Sequence, residues 1–433
     1  MGKSASEQEL QQLKVENYRL RVAVEELSVL NDIATAISST LELDRVVTMI
    51  VQKCVKHLKG EQGAIWLLEA QDQEKPLITV VRTKDSNVNG LPYRLDTQLT
   101  GWMIKNQKPL TIQNLESDDR FQITKDEGNY VRSLLAVPLQ QKGKMIGVLT
   151  VFNKRGEEGF TDEDRRLLTI IGAQSAQVIE STRLYQEEQE LIKMMQEMNL
   201  ARKIQTNLLP AEAPKLEGYE AFGISIPAKD VGGDYYDFIT KDNHKLLFCL
   251  GDVSGKGMPA ALLMANLQAT LRGQAMGCKN AVDCLKKSNQ LLYHSTDMEK
   301  YATMFYGVIN CVNHELVYAN AGHNNPFLVS QDGSFQRLQT AGIPLGWLED
   351  FDYTEDKVVF KPGDILVLFS DGISESMNER EEEFEEEPIL DIIKENLASS
   401  PKEISDQIIR VVQDHTGNAP QADDMTLVVI KRI

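Results

Sequence analysis

Four short acidic turns in the C-terminal half constrain this chain more than any other feature. They read VGGDYYDF at 231–238, LFCLGDVSGKG at 247–257, DILVLFSDGIS at 364–374 and QADDMTLVVI at 421–430. In three of them the Asp abuts an apolar run of strand length: 246–250 before Asp252, 365–369 before Asp371, and 427–430 after Asp423 and Asp424. One Asp at a strand end is an ordinary turn former, satisfied by nearby amides. Four such turns in one domain make a set of carboxylates that would repel one another unless a hard dication joined them. Oxygen-only donors favour magnesium or manganese over zinc. The second turn is not a phosphate-cradling P-loop. Gly251 and Gly255 enclose only three residues, and Gly257 and Met258 follow Lys256 where a Ser or Thr is needed.

Composition closes several other routes. The net charge of −18 argues against a duplex-DNA binder, which needs a basic face to neutralise phosphates. The five cysteines, at 54, 249, 278, 284 and 311, form no C-x-x-C pair, and the six histidines form no H-x-x-x-H. Neither a zinc site nor a disulfide framework is suggested, and a reducing cytoplasm fits best. There is no apolar run of eighteen residues and no signal-peptide pattern, so neither a membrane span nor export is expected. MGKSAS satisfies the myristoylation pattern through Gly2 and Ser6, a short pattern read here as a chance match. A length of 433 residues predicts two or three domains.

The chain divides by pattern. Residues 1–34 form a predicted coiled-coil helix, with Leu10, Asn17, Val24 and Asn31 at one heptad position and Leu13, Leu20, Leu27 and Ala34 at the other. Residues 28–183 are mixed, with helical segments, strand-like runs and a hairpin turning at Lys142–Gly143. A helix opens at Thr161, with Asp162, Glu163 and Asp164 in its first turn beside the positive end of the helix dipole. It runs without a breaker into a linker, 184–210, where Leu184, Leu191 and Met198 repeat at seven beside Met194, Ala201 and Leu208. Pro210 and Pro214 stop it. The two seams predict a parallel homodimer.

LTGWMIKNQKPLTIQNL, SLLAVPL, GVLTVFNK and FTDEDRRLL occur in that order, and the segment that carries them resembles a GAF sensor domain. Cyclic-nucleotide-binding members carry an Asn-Lys, Phe, Asp-Glu pattern. Asn153, Lys154, Phe160 and Asp164 match it, and Arg165 stands in place of the Glu. Cys54 and His57 are the candidates for tetrapyrrole attachment, on a helix where a core or surface role is expected. A structural or dimerising role is preferred, and a small-molecule ligand stays unnamed.

Residues 211–433 resemble the PPM-type serine/threonine protein phosphatases of the bacterial SpoIIE/RsbU branch, through GGDYYDF, GDVSGKGMPAAL, ATMFYGVI, YANAGHNNP, PLG, FSDGISE and DDMTLVV. The resemblance implies an α+β multidomain chain whose phosphatase domain is an αββα sandwich. It implies two Mn2+ or Mg2+ ions, bridged by Asp252, with the Val253 carbonyl, Asp371 and Asp423 completing one shell and Asp234 holding the other ion. Asp424 is second to Asp423, and Asp237 is open between a supporting role and a solvent-facing strand position. Such ions lower the pKa of a shared water for in-line attack on phosphorus. Eukaryotic members place a His where this chain has Ser254. Lys256 is the nearest titratable neighbour, read as solvated, and His323 is open between bracing its turn and meeting substrate. The implied substrate is a phosphorylated STAS-type anti-sigma-factor antagonist. Alternatives are a nucleotide cyclase, because GGDYYDF echoes the GGDEF signature, and a non-catalytic dimeric scaffold.

Overall fold

The computed structural model describes residues 9–18, 20, 24, 28, 42–68, 77–82, 97–121, 131–156, 158–242, 244–296 and 300–433. Its contacts divide the chain into two compact units, Met1–Lys193 and Met194–Ile433. Residues 9–18 are helical. Of the N-terminal seam, Leu10, Leu13, Leu20 and Val24 are exposed; Leu27, Asn31 and Ala34 lie outside the described residues.

The first unit is built on a five-stranded antiparallel sheet in the order β2-β1-β5-β4-β3. Its strands are β1 Gly60–Leu67, β2 Leu77–Arg82, β3 Leu110–Ile112, β4 Leu134–Gln141 and β5 Lys144–Lys154. The β4–β5 hairpin turns at Lys142 and Gly143, both with positive φ, as a two-residue turn matched to strand twist requires. One face of the sheet packs on α1, Leu43–His57, and on the first half of a 45-residue helix, α3, Asp162–Thr206. Val47, Val51, Leu149, Val151, Leu168 and Ile171 meet there. The opposite face packs Trp66, Val148 and Phe152 against Met103 of α2, Thr97–Asn106. Both faces of the sheet are covered, so its central strands read as apolar runs rather than as alternation.

The second unit has four layers. One sheet has the order β13-β10-β9-β8-β7 and the other β12-β11-β14-β15-β6. The first contains β7 Tyr235–Asp242, β8 Lys245–Gly251, β9 Met304–Asn310, β10 Glu315–Ala321 and β13 Asp356–Val359. The second contains β6 Tyr219–Ile226, β11 Phe327–Val329, β12 Phe335–Arg337, β14 Ile365–Phe369 and β15 Met425–Arg432. Phe248, Leu250 and Phe305 of one sheet meet Leu366, Leu368, Val428 and Ile430 of the other in the central core. The alternate residues point outward: Leu247 and Cys249 onto helices α4, Met258–Ala275, and α5, Ala281–Ser295. Ile365, Val367 and Phe369 point onto α7, Glu387–Glu395, and α8, Pro401–Thr416. β8 and β14 thus bury both faces, which is why 246–250 and 365–369 are wholly apolar. This is the αββα sandwich.

Candidate metal centre

The sandwich brings its acidic turns to one end of the two sheets. Asp234 lies directly before β7, Asp252 directly after β8, and Asp423 and Asp424 directly before β15. Asp371 opens α6, Asp371–Ser374, a single helical turn after β14. A Cβ on Gly233 would sit 3.4 Å from Asp252 Oδ1 and 3.2 Å from the Val253 carbonyl oxygen, so the first turn lies against the second.

Each turn is held by hydrogen bonds to distant segments. The Asp252 N–H donates to Thr303 Oγ1 at 3.2 Å, and the Thr303 N–H donates to the Asp252 carbonyl at 2.7 Å. Ser254 and Tyr301 exchange a second pair, Ser254 N–H to the Tyr301 carbonyl at 2.8 Å and Tyr301 N–H to Ser254 Oγ at 3.1 Å. Ser254 is therefore a turn brace. Ser370 joins β14 to β15: its hydroxyl donates to the Asp424 carbonyl and accepts from the Thr426 N–H, both at 2.9 Å.

The two neighbouring aspartates of the last turn do different work. Asp424 Oδ1 accepts the Ala228 N–H at 2.7 Å, and Oδ2 accepts the N–H of Gly233 at 2.5 Å and of Asp234 at 3.3 Å. Its carboxylate is filled by main-chain donors. The Asp423 side chain is 37% exposed and pairs with Lys256 Nζ at 2.8 Å. Lys256, read from sequence as a solvated turn residue, also donates to the Ala422 carbonyl at 2.8 Å and is tied to the last acidic turn.

The electrostatics are those of crowded carboxylates. Burial, then the charges of Asp371, Asp423 and Asp424, push the Asp252 carboxyl up to about 7. Asp234 is 3% exposed; burial and the neighbouring Asp252 charge raise it well above the carboxylate range. Asp371 is raised by burial and by Asp423. Asp234 Oδ2 is buried without a hydrogen-bond partner, and the carboxylates of Asp252 and Asp424 lie near it. Among the described residues no three His, Cys, Asp or Glu side chains close tightly around one point. An orphan carboxylate oxygen, mutually raised carboxyls and an all-oxygen donor set nonetheless fit hard divalent cations.

Two further sequence candidates take other roles. Asp237 is fully buried and does not face solvent. Arg272 of α4 grips it with Nε at 2.6 Å and a second nitrogen at 2.9 Å, and the Tyr235 hydroxyl donates to it at 2.6 Å. It locks β7 to the helix that follows the Asp252 turn. His323 is 7% exposed, its Nδ1 lies 2.9 Å from Thr303 Oγ1, and its N–H donates to Asn320 Oδ1 at 2.8 Å. Burial drives its pKa down to about 3, with the Phe369 main chain beside it. His323 stays neutral at physiological pH and supports the Thr303–Asp252 contact. Thr303, Ser370 and Arg272 went unmarked in the sequence. Ser370 adjoins Asp371 and Thr303 sits in ATMFYGVI, but the partners that reveal their roles lie far along the chain.

In the first unit, the residues that match the cyclic-nucleotide pattern are absorbed by local structure. Asn153, in the left-handed region at φ 51°, accepts the N–H of Arg132 at 2.7 Å and of Ser133 at 3.2 Å, and donates to Glu61 at 2.9 Å. Lys154 pairs with Asp164, which also accepts the Thr161 N–H at 2.7 Å. Phe160 is core. Together they join the end of β5 to the start of α3. Cys54 is fully buried and its thiol is pushed up to about 12, an unreactive core residue.

Comparison with known proteins agrees with this fold. Residues 242–433 match the Stage II sporulation protein E (SpoIIE) family, and residues 40–180 match a GAF domain family. The phosphoserine phosphatase RsbU of Bacillus subtilis is 35% identical over 258 residues, covering 57% of this chain and 75% of that protein. Protein IcfG of Synechocystis is 28% identical over 263 residues, which span 41% of its length. Among solved structures, the SiaA-PP2C domain of Pseudomonas aeruginosa aligns with a TM-score of 0.51 at 22% identity, covering 56% of this chain and 98% of that domain. That likeness concerns the fold.

Proposed function

This chain belongs to the family of the phosphoserine phosphatase RsbU, and from that premise we propose a divalent-metal mechanism at the acidic end of its sandwich. The enzyme is a serine phosphatase joined to a GAF domain, which removes the cyclase and inert-scaffold alternatives. The observation that carries the mechanism is the gathering of Asp234, Asp252, Asp371 and Asp423 at one sheet end, with Asp234 Oδ2 orphaned. Asp234, Asp252, Asp371, Asp423 and the Val253 carbonyl would hold two Mn2+ or Mg2+ ions. When bound, such ions supply an activated water and charge neutralisation for phosphoryl transfer.

The protein's own groups divide the remaining work. Thr303 and His323 hold the Asp252 main chain, Asp424 holds the 228–234 loop, and Ser370 holds the strand end beside Asp371. Preorganised carboxylates of this kind need no rearrangement when substrate arrives. Lys256, paired with Asp423, is an ammonium at the edge of the site that would meet substrate phosphate.

The substrate is a phosphoserine on a STAS-type anti-sigma-factor antagonist in a bacterial partner-switching pathway, and the enzyme works in the cytoplasm. Among the described residues no helix is long and apolar enough to cross a membrane. The GAF domain senses a signal of unassigned chemistry. Leu184, Leu191 and Met194 along α3 and Leu10, Leu13 and Leu20 near the N-terminus expose apolar side chains in support of a homodimer. Phosphate release from a panel of phosphorylated STAS proteins, with manganese and with chelator, tests the reading. Equal release in chelator would overturn the metal mechanism, and release from none of the panel the substrate assignment.

A further inference from the structure

The helix that begins at Asp162 ends with a side chain gripping the loop that carries Asp234. Gln205, one residue before the last of α3, donates Nε2 to the Gly232 carbonyl at 2.6 Å and accepts the Gly232 N–H on Oε1 at 3.0 Å. One side chain thereby satisfies both polar groups of a buried peptide position. Position 232 has no room for a side chain: a Cβ there would lie 2.5 Å from Asp424 Oδ2. The next two residues, Gly233 and Asp234, donate their N–H groups to that same oxygen.

The segment after the helix is pinned as well. Gln268 of α4 reaches the Leu208 carbonyl at 3.5 Å, and the Tyr236 hydroxyl reaches the Pro210 carbonyl at the same distance. Leu209 packs against the cores on both sides of the β7–β8 sheet. Each target belongs to the Asp234 loop, the strand after it, or the helix after the Asp252 turn. Of the three contacts, only that of Gln205 is two-pronged and short.

We propose that Gln205 is a positioning residue of the phosphatase site, and that its two-pronged bond to Gly232 sets the place of Asp234 and Asp424. The inference rests on the reading that Asp234 and Asp252 hold metal. Physically, a buried loop of two consecutive glycines has a large conformational freedom to lose, and its order must come from outside contacts. Asp424 supplies one side and Gln205 the other. The last turn of α3 is thus part of the metal site, and any signal that turns or withdraws that helix end acts on Asp234 directly.

The test uses the full-length chain, with free Mn2+ followed by its electron paramagnetic resonance signal and turnover followed with p-nitrophenyl phosphate. Gln205→Leu removes both hydrogen bonds at similar volume; Gln205→Glu keeps only the acceptor for the Gly232 N–H. Groups that orient metal ligands are worth roughly 10- to 100-fold in affinity. Gln205→Leu is therefore expected to weaken Mn2+ binding about tenfold and to lower kcat at saturating Mn2+ while KM holds. Gln205→Glu should fall between it and the wild type. Gln205→Leu strands the buried Gly232 N–H and carbonyl, so its unfolding temperature in chelator is expected to fall. Mn2+ affinity is therefore read well below that temperature, which separates positioning from a general loss of fold. Wild-type Mn2+ affinity in Gln205→Leu overturns the proposal; if that variant does not fold, wild-type affinity in Gln205→Glu does so. Asp252→Asn serves as the reference. If it loses Mn2+ while the Gln205 variants keep it, this inference alone fails, and if it too binds as wild type, the metal reading fails first.

Discussion

Asp424 Oδ2 accepts the Gly233 amide at 2.5 Å across 191 positions of sequence, so the last acidic turn is the scaffold of the first. Its neighbour Asp423 is left with an exposed carboxylate facing Lys256. The two adjacent aspartates should therefore fail differently. Asp424→Ala strands three main-chain donors, and an unsatisfied buried group costs about 1–3 kcal/mol; a drop in Tm of several degrees is expected. Asp423→Ala should leave Tm in chelator near wild type and lower manganese-dependent turnover. Differential scanning fluorimetry beside a rate assay checks both, and a reversed pattern would exchange their roles.

The raised carboxyls predict an inverted pH dependence of stability in chelator. Asp252 has a folded pKa of about 7 against the usual Asp value near 3.8. Between those values the folded state holds a proton that the unfolded state has lost, so stability falls as pH rises through this window. Asp234 and Asp371 shift in the same direction. Tm in chelator should decline from about pH 5 to pH 7.5, following the linkage slope, and Mn2+ should flatten the decline. A Tm that rises steadily over that range would contradict the crowding of these carboxyls.

Asp252→Asn should retain the fold and lose orders of magnitude in turnover, because it removes a negative charge from the centre of the donor set. In chelator it should be slightly more stable than the wild type at neutral pH, since one repelling charge is gone. Activity of this variant equal to wild type would end the assignment of Asp252.

His323, with a pKa near 3, cannot supply a proton at neutral pH. His323→Asn should reduce kcat through a loosened Thr303–Asp252 contact while the shape of the pH–rate profile stays that of the wild type. Disappearance of one limb of that profile would instead make His323 a proton donor.

The helical linker should transmit by its rotational phase. One residue inserted after Glu190 turns everything downstream by about 100°, whereas seven nearly restore register. Turnover should change sharply with the first insertion and recover with the second. Replacing Met194, Met198 and Ala201 with Leu or Ile should lock activity near one extreme. Equal rates in all these variants would reduce the helix to a tether. Light scattering, expected at about twice the chain mass for a closed two-fold pair, checks the dimer on which the phase argument depends.

The strand pattern was the most legible part of this protein. Runs such as 365–369 are apolar throughout because Ile365, Val367 and Phe369 face the α7–α8 helices while Leu366 and Leu368 face the other sheet. A strand buried on both sides has no polar face to show, and a carboxylate at its end is held on a rigid frame. The apolar runs therefore marked buried strands with acidic turns at their ends, and the ordered motifs carried the GAF and phosphatase resemblances, which implied the sandwich.

What the tertiary structure decided was the division of labour among residues of like chemistry. Asp423 and Asp424 are adjacent and identical, yet one is filled by amides from 228, 233 and 234 and the other faces a lysine. Asp237 is one of two aspartates in VGGDYYDF and is buried by an arginine 35 positions away. Gln205 carries no motif at all; it matters only because Gly232 lies against it. A side chain's role is set by the donors and charges that surround it, and for these residues they are brought up from distant segments by the closing of the two sheets, which no local pattern records.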